Sequence, residues 1–245
     1  MSNCRFYNPE NLRIGATIKL SDNAAAHATR VLRLEISDEI VLFNGDGNDY
    51  ACAIASIKKS ETLAIVKSFV KITNESPLNI TLLQGISSGD RMDYTIQKAV
   101  ELGVTQIVPI ITSRSVVKLS PERAQKRLEH WQSIVHAACE QSGRAFVPQV
   151  AAPISLSAWL QANAANNNGL RILLNPIGAL RLAELPKPTG HIKLLIGAEG
   201  GLSQSEIDAA LSQSFQSVVL GARILRTETA ALTAIAAMQT LWGDF

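Results

Sequence analysis

Past Pro77 the chain alternates short apolar runs with helical patterns, and that rhythm limits its fold more than any other feature of the sequence. Leu78 to Gly85, Gln106 to Ile111, Arg171 to Leu174, Lys193 to Ile196 and Ser217 to Leu220 read as strands. Between them, Arg91 to Leu102 reads as a helix closed by Gly103, and Ser120-Pro121 opens a long helix to about Ser142, with proline in its first turn and Gly143 past its end. A last helix is expected from Ala230 to Trp242. Strands alternating with helices predict a largely parallel α/β sheet.

The residues before Pro77 have a different rhythm. Val41-Leu42-Phe43 runs into the turn cluster Asn44-Gly45-Asp46-Gly47-Asn48, followed by strand candidates Tyr50 to Ile57 and Leu63 to Ile72. An Ala-rich helix, capped near Ser21 or Asp22 and reaching about Arg33, interrupts them. This segment reads as a small β-barrel, and the polar break Thr73-Asn74-Glu75-Ser76-Pro77 marks the expected boundary, giving domains over 1–73 and 74–245.

With 47% hydrophobic and 18% charged residues, the 245-residue chain lies far from the disordered class. Its longest uncharged stretch, Ala145 to Leu170, is broken by Pro148 and Pro153, so no membrane span is expected. The N-terminus lacks a signal-peptide pattern, and Cys4, Cys52 and Cys139 form no disulfide framework, which makes the cytoplasm the expected compartment. The net charge of +2 does not by itself imply a polyanionic partner. Two segments are nevertheless basic-biased: Arg5, Arg13, Lys19, Arg30 and Arg33 near the N-terminus, and Arg114, Lys118, Arg123, Lys126, Arg127 and Arg144 further on. They suit either phosphate contacts or a solvated face. His130, His136 and Cys139 lack the spacing of a metal site, and the Trp131, Val135, Ala138 face reads as core.

The chemistry concentrates in two strand-loop-helix units. In the first, Leu194-Leu195-Ile196 enters Gly197-Ala198-Glu199-Gly200-Gly201 and then a helix with the capping box Ser203-x-x-Glu206. In the second, Val218-Val219-Leu220 enters Gly221-Ala222-Arg223-Ile224-Leu225, followed by Arg226-Thr227-Glu228-Thr229. Glycines at strand ends admit close backbone approach to a ligand, although a tight connection alone would also use them. The first loop has neither dinucleotide nor phosphate-loop spacing. Thr227 or Thr229 could cap the last helix, and Glu228 suits its positive end, so structure alone could account for these residues. The functional alternative places Arg226 and Glu228 in a pocket shared with the first loop.

Four segments together resemble the RsmE family of 16S ribosomal RNA methyltransferases in the SPOUT superfamily. They are Met92-Asp93-x-x-Ile96-Gln97-Lys98-x-x-Glu101-Leu102-Gly103-Val104, Ala137-Ala138-Cys139-Glu140-Gln141-Ser142-Gly143-Arg144, Leu195-Ile196-Gly197-x-Glu199-Gly200-Gly201, and Leu220-Gly221-x-Arg223-Ile224-Leu225-Arg226-Thr227-Glu228-Thr229-Ala230. The resemblance covers essentially the whole chain. It implies a PUA-like RNA-binding barrel followed by an α/β SPOUT domain with a C-terminal trefoil knot, working as a homodimer. It further implies transfer of a methyl group from S-adenosylmethionine to uridine N3 in the decoding region of 16S rRNA, within the small ribosomal subunit.

Carried onto this chain, the resemblance implies a cofactor pocket from Leu174, Asn175, Ile196, Gly197, Glu199, Gly200, Gly201, Leu220, Gly221, Ile224, Leu225, Thr229 and Ala230. Arg226, Glu228 and Glu199 become catalytic candidates, and Arg5, Arg30, Arg114 and Arg144 become candidates for RNA phosphate contacts. Ala198 and Ala222 stand where the family commonly has proline, which predicts looser loops with no reactive side chain lost. The competing readings are a SPOUT enzyme for another RNA position or ribose 2′-OH, and an RNA-binding assembly factor that has lost catalysis.

Overall fold

The computed structural model describes residues 4–115, 120–164 and 168–245. Lys118 of the second basic segment lies outside these residues. The chain forms two compact units, one of residues up to 75 together with 136–147, the other of 76–135 and 148–245.

The first unit holds β1 (Arg5–Tyr7), β2 (Thr17–Lys19), α1 (Asp22–Ala26), β3 (Glu39–Phe43), β4 (Asn48–Lys58) and β5 (Glu61–Lys71). These strands form a five-stranded sheet in the order β1-β3-β4-β5-β2. The expected Ala-rich helix is present, with the Ser21 side chain accepting from the Ala24 amide at 3.2 Å. It stays α-helical only to Ala26 and continues as a π-helical turn over His27–Val31. Phe6, Leu20, Ile40, Leu42, Ile54 and Val66 form its core.

Two arginines expected on RNA belong instead to the interior of this unit. The Arg5 guanidinium pairs with Asp49 at 2.7 Å, donates to the carbonyls of Cys139 at 2.6 Å and Arg144 at 2.9 Å, and stacks 3.8 Å over Phe43. Arg144 donates to both carboxylate oxygens of Glu75 at 2.9 and 2.6 Å. Their side chains are only 7% and 5% exposed. A guanidinium whose donors are already directed at buried acceptors is not available to phosphate, so both leave the set of candidate RNA contacts. Arg30, by contrast, is exposed. In the same unit His136 stacks on Tyr7 at 3.8 Å, and burial pushes its imidazole down to about 4, so it packs as a neutral ring.

The second unit runs through β6 (Ile80–Gly85), α2 (Asp90–Glu101) and β7 (Gln106–Ile111) into α3 (Pro121–Ser142), whose C-terminal residues belong to the first unit. It continues with β8 (Gln149–Val150), β9 (Ile154–Ser155), α4 (Leu156–Ala162), β10 (Leu170–Leu174), β11 (Leu180–Arg181), β12 (Ile192–Ile196), α5 (Gln204–Ser212), β13 (Gln216–Val219) and α6 (Thr227–Trp242). The strand pairings are parallel, in the order β11-β13-β10-β12-β6-β7-β8. Every residue of β6 and β12 is buried, as near-continuous apolar strands between two helical layers require. One layer packs Leu156, Trp159 and Phe215 against Leu83, Leu173 and Leu195. β7 is paired by β8 through Gln106 and Ile107 and by β9 through Ile110 and Ile111, and Pro109, which has no N–H to give, falls at the break between them. None of the described helices is long and apolar enough to cross a membrane.

Replacing Arg5 with Met leaves the Asp49 carboxylate and the Arg144 carbonyl without this donor and the Cys139 carbonyl with only the Gly143 amide, and should destabilise the protein by about 3 kcal/mol in chemical denaturation. An unchanged midpoint would return Arg5 to the surface.

Candidate active site

The carboxyl ends of β10, β12 and β13 open into a cavity of about 790 Å³. Leu174 and Asn175 follow from β10, Ile196 to Leu202 from β12, Val218 to Gly221 from β13, and Arg223 to Glu228 lead into α6. Its walls combine apolar side chains, Leu174, Ile196, Leu202, Val218 and Leu225 among them, with the backbone of both glycine loops.

The first loop turns tightly, the Gly201 amide donating to the Ala198 carbonyl at 2.8 Å, with Gly201 at φ +68°. It lies so close across the end of β6 that a Cβ at Gly85 would run into the Ala198 amide nitrogen. Gly85 is thus as necessary to the loop as the loop's own glycines. Ala198 is buried and Ala222 exposed, so the two positions that depart from the expected proline sit in unlike surroundings.

Thr227 joins this loop to the last helix. Its Oγ1 donates to the Gly197 carbonyl at 2.6 Å and accepts from Gln84 Nε2 at 2.9 Å, with Gln84 fully buried. This corrects the expectation that Thr227 or Thr229 caps α6. The helix begins at Thr227, three residues earlier than expected, its N-cap is Arg226, and no side chain caps it. Thr229 is exposed and does not line the cavity, whereas the other expected pocket residues do.

The two candidate carboxylates have different surroundings. Glu199 Oε1 accepts from the Ser88 amide and hydroxyl, both at 2.8 Å, and from Arg91 Nη1 at 3.1 Å. Burial pushes its carboxyl up, but these hydrogen bonds outweigh that effect and hold it below the usual carboxylate range. Glu228 Oε1 lies 4.0 Å from Arg91 Nε, while its buried Oε2 has no hydrogen-bond partner among the described residues. Arg226, exposed at the cavity edge, forms no hydrogen bond or ion pair to its guanidinium among the described residues. Arg114, placed in sequence with the RNA contacts, also lines the cavity, with Nη1 3.3 Å from the Gly200 carbonyl.

Arg91 and Ser88 went unnoticed in the sequence as site residues. They precede or open α2, more than a hundred residues from Glu199, and no local spacing marks them.

Family models match both parts of the chain: an RNA methyltransferase domain over residues 74–239 and an RNA methyltransferase PUA domain over residues 20–67. The ribosomal RNA small subunit methyltransferase E of Buchnera aphidicola from Acyrthosiphon pisum is 34% identical, covering 98% of this chain and 94% of its own. The Bacillus subtilis protein of the same name is 31% identical over 93% of each. The chain belongs to the RsmE family. A crystal structure of the Neisseria gonorrhoeae RsmE bound to S-adenosyl methionine is 46% identical with a TM-score of 0.91, covering 99% of each chain. A Legionella pneumophila structure in complex with SAM is 36% identical, with a TM-score of 0.95 over all of both chains. For this RsmE member, the family resemblance and the open end of the parallel sheet therefore lead to the same two loops.

Because the folded Glu199 carboxyl titrates below its ordinary value, its hydrogen bonds contribute stability above about pH 4.5 that is lost as acid protonates it. Glu199→Gln should lower stability near neutral pH by roughly 1 kcal/mol, and the difference from wild type should shrink toward acid. A pH-independent difference would contradict the assignment.

Proposed function

We propose that the chain is an S-adenosylmethionine-dependent ribosomal RNA methyltransferase that modifies uridine N3 in the decoding region of 16S rRNA. The observation that carries this reading is the cavity itself, where both family glycine loops, Arg226 and an unpartnered oxygen of Glu228 converge. Its volume lies in the range of small-molecule sites, and its chemistry fits an adenosyl sulfonium. Apolar walls suit the faces of a base, loop backbone groups suit its edges, and a carboxylate suits the positive charge. Leu174, Ile196, Leu220 and Leu225, with the loop backbone from Gly197 to Gly201, would hold it. When bound, S-adenosylmethionine supplies a methyl group activated by positive sulfur.

The chain's task is then to position uracil N3 and manage its proton. Arg226, reinforced by the positive N-terminal end of α6, stabilises negative charge developing on the uracil. Of the two carboxylates, Glu228 is the better proton acceptor, since its Oε2 is uncommitted, whereas Glu199 is held in its ionised form by three donors. Glu199 acts as a positioning residue that ties the first loop to α2 through Arg91.

Arg30 in the first unit and Arg114 at the cavity edge remain candidates for phosphate contacts, which give affinity without selecting a base. The reading includes a homodimer acting on 16S rRNA within the small subunit, as the family resemblance implies, with the cytoplasm as its compartment.

Purified protein with labelled S-adenosylmethionine, given small subunits from a strain lacking the enzyme, should yield labelled N3-methyluridine on nucleoside analysis. Glu228→Gln should retain cofactor binding and lose at least about tenfold in turnover. Label in another nucleoside or in ribose would overturn the assigned target, and neither binding nor transfer would favour an assembly factor.

A further inference from the structure

The residues that follow β7 are held by groups that follow β6 and β12, although Ser113 and Arg114 are themselves exposed. Glu206, in the first turn of α5, supplies the main tie. Its Oε1 accepts from the Ser113 amide at 2.7 Å and its Oε2 from the Ser113 hydroxyl at 2.9 Å. The same Oε2 accepts from the Ser203 amide at 2.8 Å and the Ser203 hydroxyl at 3.0 Å, within the capping box. A helix cap needs only the Ser203 bonds. The Ser113 bonds reach 93 residues back along the chain, to a different strand end. Burial pushes the Glu206 carboxyl up, but these hydrogen bonds outweigh it and hold the group below the usual carboxylate range.

Two further contacts direct the same residues toward the cavity. Ser115 Oγ donates to the Ile86 carbonyl at 3.2 Å. Arg114 lies so close over the first glycine loop that a Cβ at Gly200 would stand 2.9 Å from both its Cβ and its carbonyl oxygen. The long bond from Nη1 to the Gly200 carbonyl is the only hydrogen bond its guanidinium makes among the described residues, and no carboxylate there pairs with it. Exposed residues have little burial to fix them, so the direction of Arg114 depends on the bonds to Glu206 and Ile86.

An RNA nucleotide that places its base in the cavity leaves its phosphates at the mouth, since burying an unpaired anion against apolar walls is costly. Arg114 stands at that mouth, with Arg223 and Arg226 from the second loop. A guanidinium can hold two phosphate oxygens at once, and a phosphate fixed at the mouth fixes how far the base reaches inside.

We infer that Glu206 is a positioning residue for methyl transfer: through Ser113 it fixes Arg114 at the cavity mouth, where the guanidinium holds a phosphate of the nucleotide being methylated. The inference rests on the reading of this cavity as the methyl-transfer site. It gives Glu206 a task beyond capping α5, and gives Arg114 an effect on turnover as well as on affinity.

The test compares single-turnover methylation of small subunits with calorimetric S-adenosylmethionine affinity in the full chain. Arg114→Ala should slow turnover by about tenfold or more and leave cofactor affinity within about twofold of wild type. Glu206→Gln, which turns an N–H toward one pair of donors, should show the same split. The double variant should be no slower than Arg114→Ala, because Glu206 acts through that residue. Ser203→Ala, which weakens the cap but keeps both Ser113 bonds, should lose stability and retain wild-type turnover. If Glu206→Gln does not fold, Ser113→Ala should give a smaller loss of turnover with cofactor affinity kept. Multiplying losses in the double variant, an equal loss of turnover in Ser203→Ala, a matching fall in cofactor affinity, or wild-type turnover by Arg114→Ala would each overturn the inference. Wild-type protein that methylates no RNA would overturn the underlying reading of the cavity, and the inference with it.

Discussion

The buried contact from Gln84 through Thr227 to the Gly197 carbonyl is the interaction on which the candidate active site depends. Strand ends in a parallel sheet leave backbone groups pointing into whatever lies beyond them, and in this chain they point into loops rich in glycine. Such loops gain closeness to a ligand at the expense of conformational entropy. One hydroxyl, donating to the first loop and accepting from the end of β6, fixes that loop and the start of α6 together. The absence of a Cβ at Gly85 lets the loop settle directly on the strand end. The cavity is thus held by a wall residue, Thr227, anchored on the buried Gln84 behind it.

The charges around the cavity divide along the same lines. Arg91 and Ser88 occupy Glu199, which becomes part of the frame, and an uncommitted Glu228 oxygen and the exposed Arg226 remain as reactive candidates. The proposed reaction at uracil N3, which removes a proton and stabilises the resulting charge, requires such a pair of opposite functions. Glu199 Oε1 already accepts three hydrogen bonds, whereas Glu228 Oε2 accepts none among the described residues.

Much of this was legible in the residues. The five second-unit strands expected from apolar runs match to within one or two positions, because strands buried on both faces leave continuous hydrophobic stretches, whereas the two-residue strands β8, β9 and β11 are too short to leave one. The capping box at Ser203 and Glu206 formed as its spacing predicts. What local patterns could not show was where a polar side chain would turn. Thr227 looks like a cap because threonine often is one, yet the deep approach of Gly197 provides a competing acceptor. Arg5 and Arg144 look like surface cations because arginine usually is exposed, yet Asp49 and Glu75 take them inside. Residues 136–147 continue a helix without any change in composition, so nothing local marks their place in the first unit. Arg91 and Ser113 acquire meaning only through pairing across distant strands or loops.

The most direct test of the account is the affinity of Thr227→Val for S-adenosylmethionine, measured by calorimetry on protein shown to be folded. Valine keeps the shape of threonine but removes both hydrogen bonds, leaving the Gly197 carbonyl and Gln84 amide without their partner. If the clasp holds the cavity, affinity should fall by about tenfold or more, equivalent to roughly 1.4 kcal/mol. Wild-type affinity in a folded Thr227→Val protein would contradict the claim that this contact organises the site.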